Sequence, residues 1–301
     1  MNLDQLLDQV RHGEPIAHLS LAGRDLRGLD LAGAFFDQVD LSGAKMSGCQ
    51  LQDSQFLNCV LAGVDAADAN LDTARLFRCQ ARGAVLDRCH AHGLSFTECD
   101  LDQASLEQAE LREAAFNSTS LEAASFRSAR LERSVFSRGT LTRADLSQAR
   151  MSFTLFHQLD LRSIVLAGAS AESTMFIECD LTAQDFAAQA YPLCHFTDSQ
   201  LDGADFRNAD LRQAGFKGAS LRGARFTGAS ALQGLFPQAD LSGADLQGGR
   251  FDGAIWAEAT LDGASLRGAS LSLCVFQRAR CASTDFRGAN LTDADFSLAD
   301  L

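Results

Sequence analysis

Long apolar runs and basic charge are both lacking in this sequence. No run of about 18 consecutive apolar residues is present, which excludes a transmembrane helix. Only 26 Lys and Arg stand against 39 Asp and Glu, a net charge of −13. We therefore expect neither nucleic acid nor an anionic membrane as a direct partner. Asp4 and Asp8 stand where a signal peptide would be basic, which predicts a cytoplasmic protein.

Motifs of catalytic and cofactor sites are missing as well. The chain has no P-loop, dinucleotide-binding glycine pattern, zinc-protease helix or nucleophile elbow. The best metal candidate is Cys89 with His90 and His92, but strand alternation would turn Cys89 inward and His90 outward. Because zinc needs convergent ligands, we expect no metal. The sequence predicts a protein that is not an enzyme and holds no cofactor.

The cysteines give the first sign of a period of five. Eight of the nine have numbers ending in 4 or 9, and Cys281 is the exception. Positions ending in 1 or 6, which we call centres, are large and apolar at 52 of the 58 places from Ile16 to Leu301. Two residues earlier, 29 of 57 positions are Ala and eight are Cys, the alternation of a short strand with one buried face. Of the 24 glycines, 20 have numbers ending in 3 or 8, which indicates corners with φ > 0.

A second period of 20 residues predicts how these units are arranged. The series 36, 56 and onward to 296 holds Phe at 12 of 14 places, with Leu76 and Trp256 as the exceptions. Four bends would bring residues 20 apart above one another, so this aromatic series should form one inner wall, on which Phe136, Phe156 and Phe176 are expected to stack. The prediction is an all-β solenoid over 16–301 with about 14 coils.

Several units carry a family resemblance. Residues 204–208 (ADFRN), 209–213 (ADLRQ) and 289–293 (ANLTD) resemble the A(D/N)LXX motif of the pentapeptide-repeat family. The resemblance implies a right-handed quadrilateral β-helix. The repeat continues to Leu301 without a cap, which would expose apolar centres and unpaired backbone groups. We expect a homodimer that pairs end to end through this carboxyl-terminal coil, as some members of the family do; the alternative is that the last coil frays.

A short helix is expected over residues 1–15, as a cap on the first coil. Leu3, Leu6, Leu7 and Val10 follow the spacing of one helical face, and Asn2 with Gln5 could form a capping box. Within the repeats, Gln184 and Gln189 occupy small inward positions, where buried amides need partners. We expect a local distortion of the backbone there, with the Tyr191 hydroxyl as one partner.

One outward side of the predicted coil is unusually apolar. In the series 35, 55 and onward to 295, seven of 14 residues are large and apolar. A long exposed apolar strip favours a protein interface, although exposed Val and Ile are also ordinary strand residues. The predicted protein-interaction residues, with neighbours from the adjacent corners, are Phe35, Val135, Phe153, Leu155, Met175, Ile177, Leu193, Leu235, Ile255, Leu273 and Val275.

Columns of aspartate on other sides give an alternative function. The family resemblance extends to members that protect or inhibit type II topoisomerases such as gyrase, so an acidic face could mimic DNA. Nearby arginines, among them Arg127, Arg207 and Arg287, should neutralise part of it. The possible mimic residues are Asp25, Asp65, Asp145, Asp185, Asp205, Asp245 and Asp285.

The leading hypothesis is a non-catalytic protein-binding scaffold, whose partner is another protein or a second copy. The second is the DNA mimic, and the third is an accessory or effector-associated protein of a bacterial secretion system.

Overall fold

Short parallel strands at intervals of 20 residues form the fold of the computed structural model, which describes residues 2–301. One helix precedes them, and no helix among the described residues is long and apolar enough to cross a membrane. The elements are α1 (Leu3–His12), β1 (Ile16–Ala17), β2 (Phe35–Asp37), β3 (Gln55–Leu57), β4 (Arg75–Phe77), β5 (Ser95–Thr97), β6 (Ala115–Asn117), β7 (Val135–Ser137), β8 (Leu155–His157) and β9 (Met175–Ile177).

The chain divides into two compact units. The first unit contains the residues up to Met151 together with Ser163–Ala169, and the second contains Ser152–Arg162 together with Ser170–Leu301. In both units the apolar centres point inward, and every centre from Ile16 to Cys281 is buried.

Helix α1 spans Leu3–His12, within the range 1–15 predicted for it, and it carries the predicted capping box. The Asn2 side chain accepts a hydrogen bond from the Gln5 N–H at 2.8 Å, and the Gln5 side chain accepts one from the Asn2 N–H at 3.0 Å. Gly13 ends the helix in the left-handed conformation with φ 66°, which glycine adopts without steric cost. Of the apolar face, Leu6 is buried and Leu3 is exposed, so the helix packs mainly through its second turn.

Parallel pairing in a constant register of 20 residues confirms the predicted fold class. In the first unit Phe36 pairs with Phe56, and in the second Phe156 pairs with Phe176. The Phe156 and Phe176 rings stack with their centroids 5.2 Å apart.

The predicted number of coils needs a correction, because the regular strands β1 to β9 mark only about eight turns. Beyond Ile177 the repeat continues as isolated bridges, such as Leu235 with Ile255.

The corners are built around residues of positive φ. A typical corner is closed by a hydrogen bond from the Ala34 N–H to the Leu31 carbonyl at 3.1 Å, with Gly33 at φ 69°. This confirms the reason for glycine at that place, since a type II turn requires φ > 0 there. Asn58 and Asp68 adopt similar angles, so glycine is preferred without being required.

The corner after the aromatic wall differs along the chain. From residue 196 onward it is closed directly, for example by the Ala219 N–H and the Phe216 carbonyl at 3.1 Å. After β9 a side chain of the next coil bridges the same two groups. Ser199 Oγ accepts from the Cys179 N–H and donates to the Phe176 carbonyl, both at 3.1 Å. We call these closed and open corners.

The prediction of a backbone distortion near Gln184 and Gln189 is wrong. The Asp205 and Asp210 N–H groups donate to the Gln184 and Gln189 carbonyls, each at 2.9 Å, so the ladder continues in register. The amides find partners without a bulge because their side chains are long enough to reach them: the Gln184 amide donates to the Leu161 carbonyl at 3.4 Å. The Tyr191 hydroxyl donates to Gln189 Oε1 at 3.4 Å, which confirms that partner.

Candidate protein-interaction surface

An apolar face lies on the outward side of the second unit. Leu235, Ile255 and Val275 pair successively across adjacent coils, and their side chains therefore follow one another about 4.8 Å apart. Leu155 and Met175 pair in the same way on β8 and β9. Inward residues alternate with these positions, so the backbone that buries the aromatic wall necessarily turns this series outward.

The adjacent corner adds the most exposed side chains of the face. Phe153 is 57% exposed, Leu273 is 64% exposed, and Leu193 lies at the same place in its coil. Nine large hydrophobic residues are exposed among residues 2–301, and five of them lie on this face. We use the name apolar face for Phe153, Leu155, Met175, Leu193, Leu235, Ile255, Leu273 and Val275.

A groove with a volume of about 780 Å³ runs along this corner. Pro192, Leu193, Leu232 and Leu273 form its apolar part. Its charged lining includes Arg212, which is held by Asp210 at 2.7 Å. Apolar walls with a few fixed polar groups are typical of surfaces that bind another molecule.

His195 and Gly215 interrupt the apolar face between Met175 and Leu235. A Cβ on Gly215 would lie 2.5 Å from His195 Nδ1, so the imidazole occupies the space that a side chain would fill. Sequence reasoning missed this pair, although Gly215 is one of the four glycines outside the corner positions. Pro192 and Leu232 of the groove were also missed, because each lies in a turn, outside the outward series from which the face was predicted.

The predicted interaction residues of the first unit do not form a similar face. Phe35 is half-buried and pairs with Gln55, and Val135 pairs with Ala115. Ile177 is half-buried at the far end of β9, away from the corner that carries Leu193.

The acidic columns are partly neutralised, as the sequence predicts. Arg27 binds Asp25 at 2.6 Å, and Arg287 binds Asp285 at 2.6 Å. Asp205 lies between Arg207 and Arg225, each at 2.7 Å. Asp145 is held more loosely by Arg127 at 3.4 Å, so four of the seven possible DNA-mimic residues are ion-paired.

Hydrogen bonding to arginine also changes the acidity of these carboxyl groups. The side-chain hydrogen bond from Arg27 lowers the pKa of Asp25 to about 2, and Arg287 lowers the pKa of Asp285 to about 2. Both carboxylates are charged at neutral pH, but each is matched by a cation within hydrogen-bond distance. Such pairs weaken the negative field that a DNA mimic needs.

The thiols and histidines do not converge on a reactive centre. All nine cysteines are free and buried, and burial raises the pKa of the Cys89 and Cys179 thiols to about 12. At these two positions few thiolates would therefore form at neutral pH. Cys89 points inward while His90 and His92 are exposed. In the part of the chain that the structure describes, no three His, Cys, Asp or Glu side chains form a group that could hold a metal.

Two family models match the chain. The model of a pentapeptide repeat region matches residues 78–146, and the model of pentapeptide repeats in eight copies matches residues 21–56, 194–230, 239–278 and 274–301. No curated protein matches the chain.

Several solved structures are similar to it. HetL, a pentapeptide repeat protein involved in heterocyst differentiation regulation from the cyanobacterium Nostoc sp. strain PCC 7120, is 24% identical; the match covers 99% of this chain and 96% of HetL, with a TM-score of 0.24. QnrB1, a plasmid-mediated fluoroquinolone resistance protein, is 16% identical over 91% of this chain and 90% of its own, with a TM-score of 0.27. Rfr23, a pentapeptide repeat protein from the cyanobacterium Cyanothece 51142, is 18% identical over 40% of this chain and 87% of its own, with a TM-score of 0.25.

Proposed function

Because the chain belongs to the pentapeptide-repeat family, we propose that it is a non-catalytic protein-binding scaffold whose binding surface is the apolar face of the second unit. The observation that carries the proposal is the concentration of exposed apolar side chains on that face, five of nine among the described residues. Contiguous exposed apolar patches are typical of protein interfaces, whereas scattered ones are normal on any surface.

The shape of the face supports a protein partner. Leu235, Ile255 and Val275 form a flat row on paired backbone, and Phe153 and Leu273 project beside it. Aromatic and large aliphatic side chains bury much apolar area on binding, so they serve as anchors. Arg212 and Asp252 at the groove would form a polar rim.

The test is a triple variant of the face, Leu235→Ser, Ile255→Ser and Leu273→Ser. A matched control replaces the three outward valines on other sides, as Val60→Ser, Val85→Ser and Val165→Ser. Solution mass over a range of concentrations and cross-linking to co-purified proteins are measured for both. We expect association to be lost in the face variant and kept in the control. Association that is the same in all three proteins contradicts the proposal.

The coil formed by residues 282–301 is a second candidate surface. Its centres Phe286, Leu291 and Phe296 are half-buried, whereas the centres of most earlier coils are fully buried. A second copy could cover them end to end. Phe296→Arg tests this separately, because it should reduce self-association without altering association through the apolar face.

DNA mimicry is the weaker alternative because of the ion pairs on the acidic columns. A supercoiling assay with gyrase at low salt separates the two proposals, since a DNA mimic should inhibit or protect the enzyme and a scaffold without topoisomerase affinity should not.

A further inference from the structure

An apolar cavity lies inside the first unit, between coils that span residues 46–96. Its volume is about 30 Å³. Every side chain that lines it is at least nine-tenths buried, and the most exposed, Leu76, is only 7% exposed. The cavity is therefore internal. Its lining includes Leu61, Ala66, Leu71, Leu76, Ala81 and Leu86.

Three departures from the repeat explain the empty space. Ala66 and Ala81 are centres, where a large side chain is usual, and Leu76 replaces Phe in the aromatic series. Leu76 pairs in register with Phe56 on one side and Phe96 on the other. Because the backbone ladder fixes the spacing between coils, the neighbours cannot move inward to fill the lost volume.

An alanine centre alone does not produce such a cavity. Ala231 is also a centre and is fully buried, but the Phe236 ring lies close to it. A Cβ on Gly234 would meet that ring at 2.9 Å and the Ala231 Cβ at 3.4 Å. At this point the aromatic side chain takes up the space, whereas Leu76 leaves it open in the first unit.

The chemistry of the cavity defines what it could hold. A volume of about 10–15 Å³ admits one water molecule, so size does not exclude water. No lining side chain carries an N–H or O–H group, and a water molecule needs two or more polar partners. An apolar atom instead regains dispersion contacts that the empty space lacks. We propose that this cavity is a binding site for a monatomic or diatomic apolar molecule, of the class of xenon or dioxygen.

Xenon is the probe for the test. Methyl ¹³C–¹H spectra of the full chain are recorded at increasing xenon pressure. We expect saturable shifts at Ala66, Leu71 and Leu76, and a rise in melting temperature with pressure, because a ligand that binds only the folded state stabilises it. The absence of any saturable shift at these methyl groups overturns the proposal.

Two filled variants identify the site. Ala66→Val and Leu76→Phe each place extra atoms in the cavity and should abolish the saturable shifts. The control is Ala67→Val, which adds the same atoms on the half-exposed neighbouring residue and should leave xenon binding unchanged. Shifts that persist in both filled variants contradict the assignment. Leu76→Phe keeps the test decisive if Ala66→Val does not fold.

Discussion

The corner after the aromatic wall is open in the coils of β2 to β9 and closed from residue 196 onward. In the closed corners the small inward residue is Ala at five of six places, from Ala219 to Ala299. In the open corners it is mostly larger or sulfur-bearing, as in Val39, Cys59 and Cys79. Closed corners therefore hold the smaller inward side chains, and open corners mostly hold larger ones.

The same difference appears in the hydrogen bonds. In a closed corner the Phe216 carbonyl accepts from the Ala219 N–H. In an open corner Cys99 Sγ lies between the two groups, accepting from the Cys79 N–H and donating to the Leu76 carbonyl, both at 3.4 Å. Buried backbone groups need partners, and after β2, β3, β4, β8 and β9 a thiol or hydroxyl of the next coil donates to the carbonyl that a closed turn would use. The inward cysteines therefore have a structural role that small size alone does not explain.

Removing an aromatic ring should have the largest effect, and it tests whether the two regions differ only at their corners. Phe216 stacks on Phe196 at 5.0 Å and Phe236 at 4.9 Å, and Phe116 stacks on Phe96 at 5.3 Å and Phe136 at 4.7 Å. Phe216→Ala and Phe116→Ala should each lower the free energy of unfolding by about 3–5 kcal/mol. Native-state amide exchange measures the local loss. A loss in only one region would mean that the aromatic wall itself differs.

Adding volume to a closed corner should have the next largest effect. Ala239→Val places two methyl groups against a tightly closed turn and should cost about 1–3 kcal/mol, although valine is the natural residue at the equivalent open corner, Val39. Ala257→Val, on an outward position of the same unit, is the control. Urea unfolding of both variants gives the comparison; equal midpoints would refute the size difference between the corners.

Replacing a bridging thiol should cost less. Cys79 Sγ donates to the Phe56 carbonyl at 3.4 Å, so Cys79→Ala leaves that carbonyl without this donor and should cost about 1–2 kcal/mol. Cys79→Ser keeps a donor, as Ser199 does naturally, and should retain part of the stability. Thermal unfolding distinguishes the variants. If serine and alanine are equally destabilising, only the volume of the sulfur matters.

The pH dependence of the surface pairs should be the smallest effect and the same in both regions. A carboxyl group whose pKa is lower in the folded state stabilises the protein above its unfolded pKa, near 3.8, and that contribution disappears as the pH falls through about 2. Asp25 and Asp285 should both titrate near pH 2 by carboxyl ¹³C NMR. Arg27→Gln and Arg287→Gln should each return the titration of the neighbouring carboxyl towards its usual range. A midpoint near 4 in the unmodified protein would contradict the paired geometry.

Much of the candidate site could be predicted from the sequence, because a strict alternation assigns each residue to the inside or the outside. Leu235, Ile255 and Leu273 are exposed as that alternation requires. The pairing of arginines with aspartates also follows, since residues two or about 20 apart are neighbours on one surface. The groove at Pro192 and the covering of Gly215 by His195 could not be predicted, because they depend on the conformations of individual side chains.

By itself, the sequence determined the period of five, the register of 20, the capped helix and the inward aromatic wall, since each follows from local pattern and from the need to bury apolar side chains. Only the tertiary structure decided which corners are open, that the chain divides into two units, and that Ala66, Leu76 and Ala81 enclose a cavity while Ala231 does not. The physical reason is that these features depend on the combined side-chain volume and the hydrogen bonds of residues from several coils. The sequence of a single repeat does not specify either.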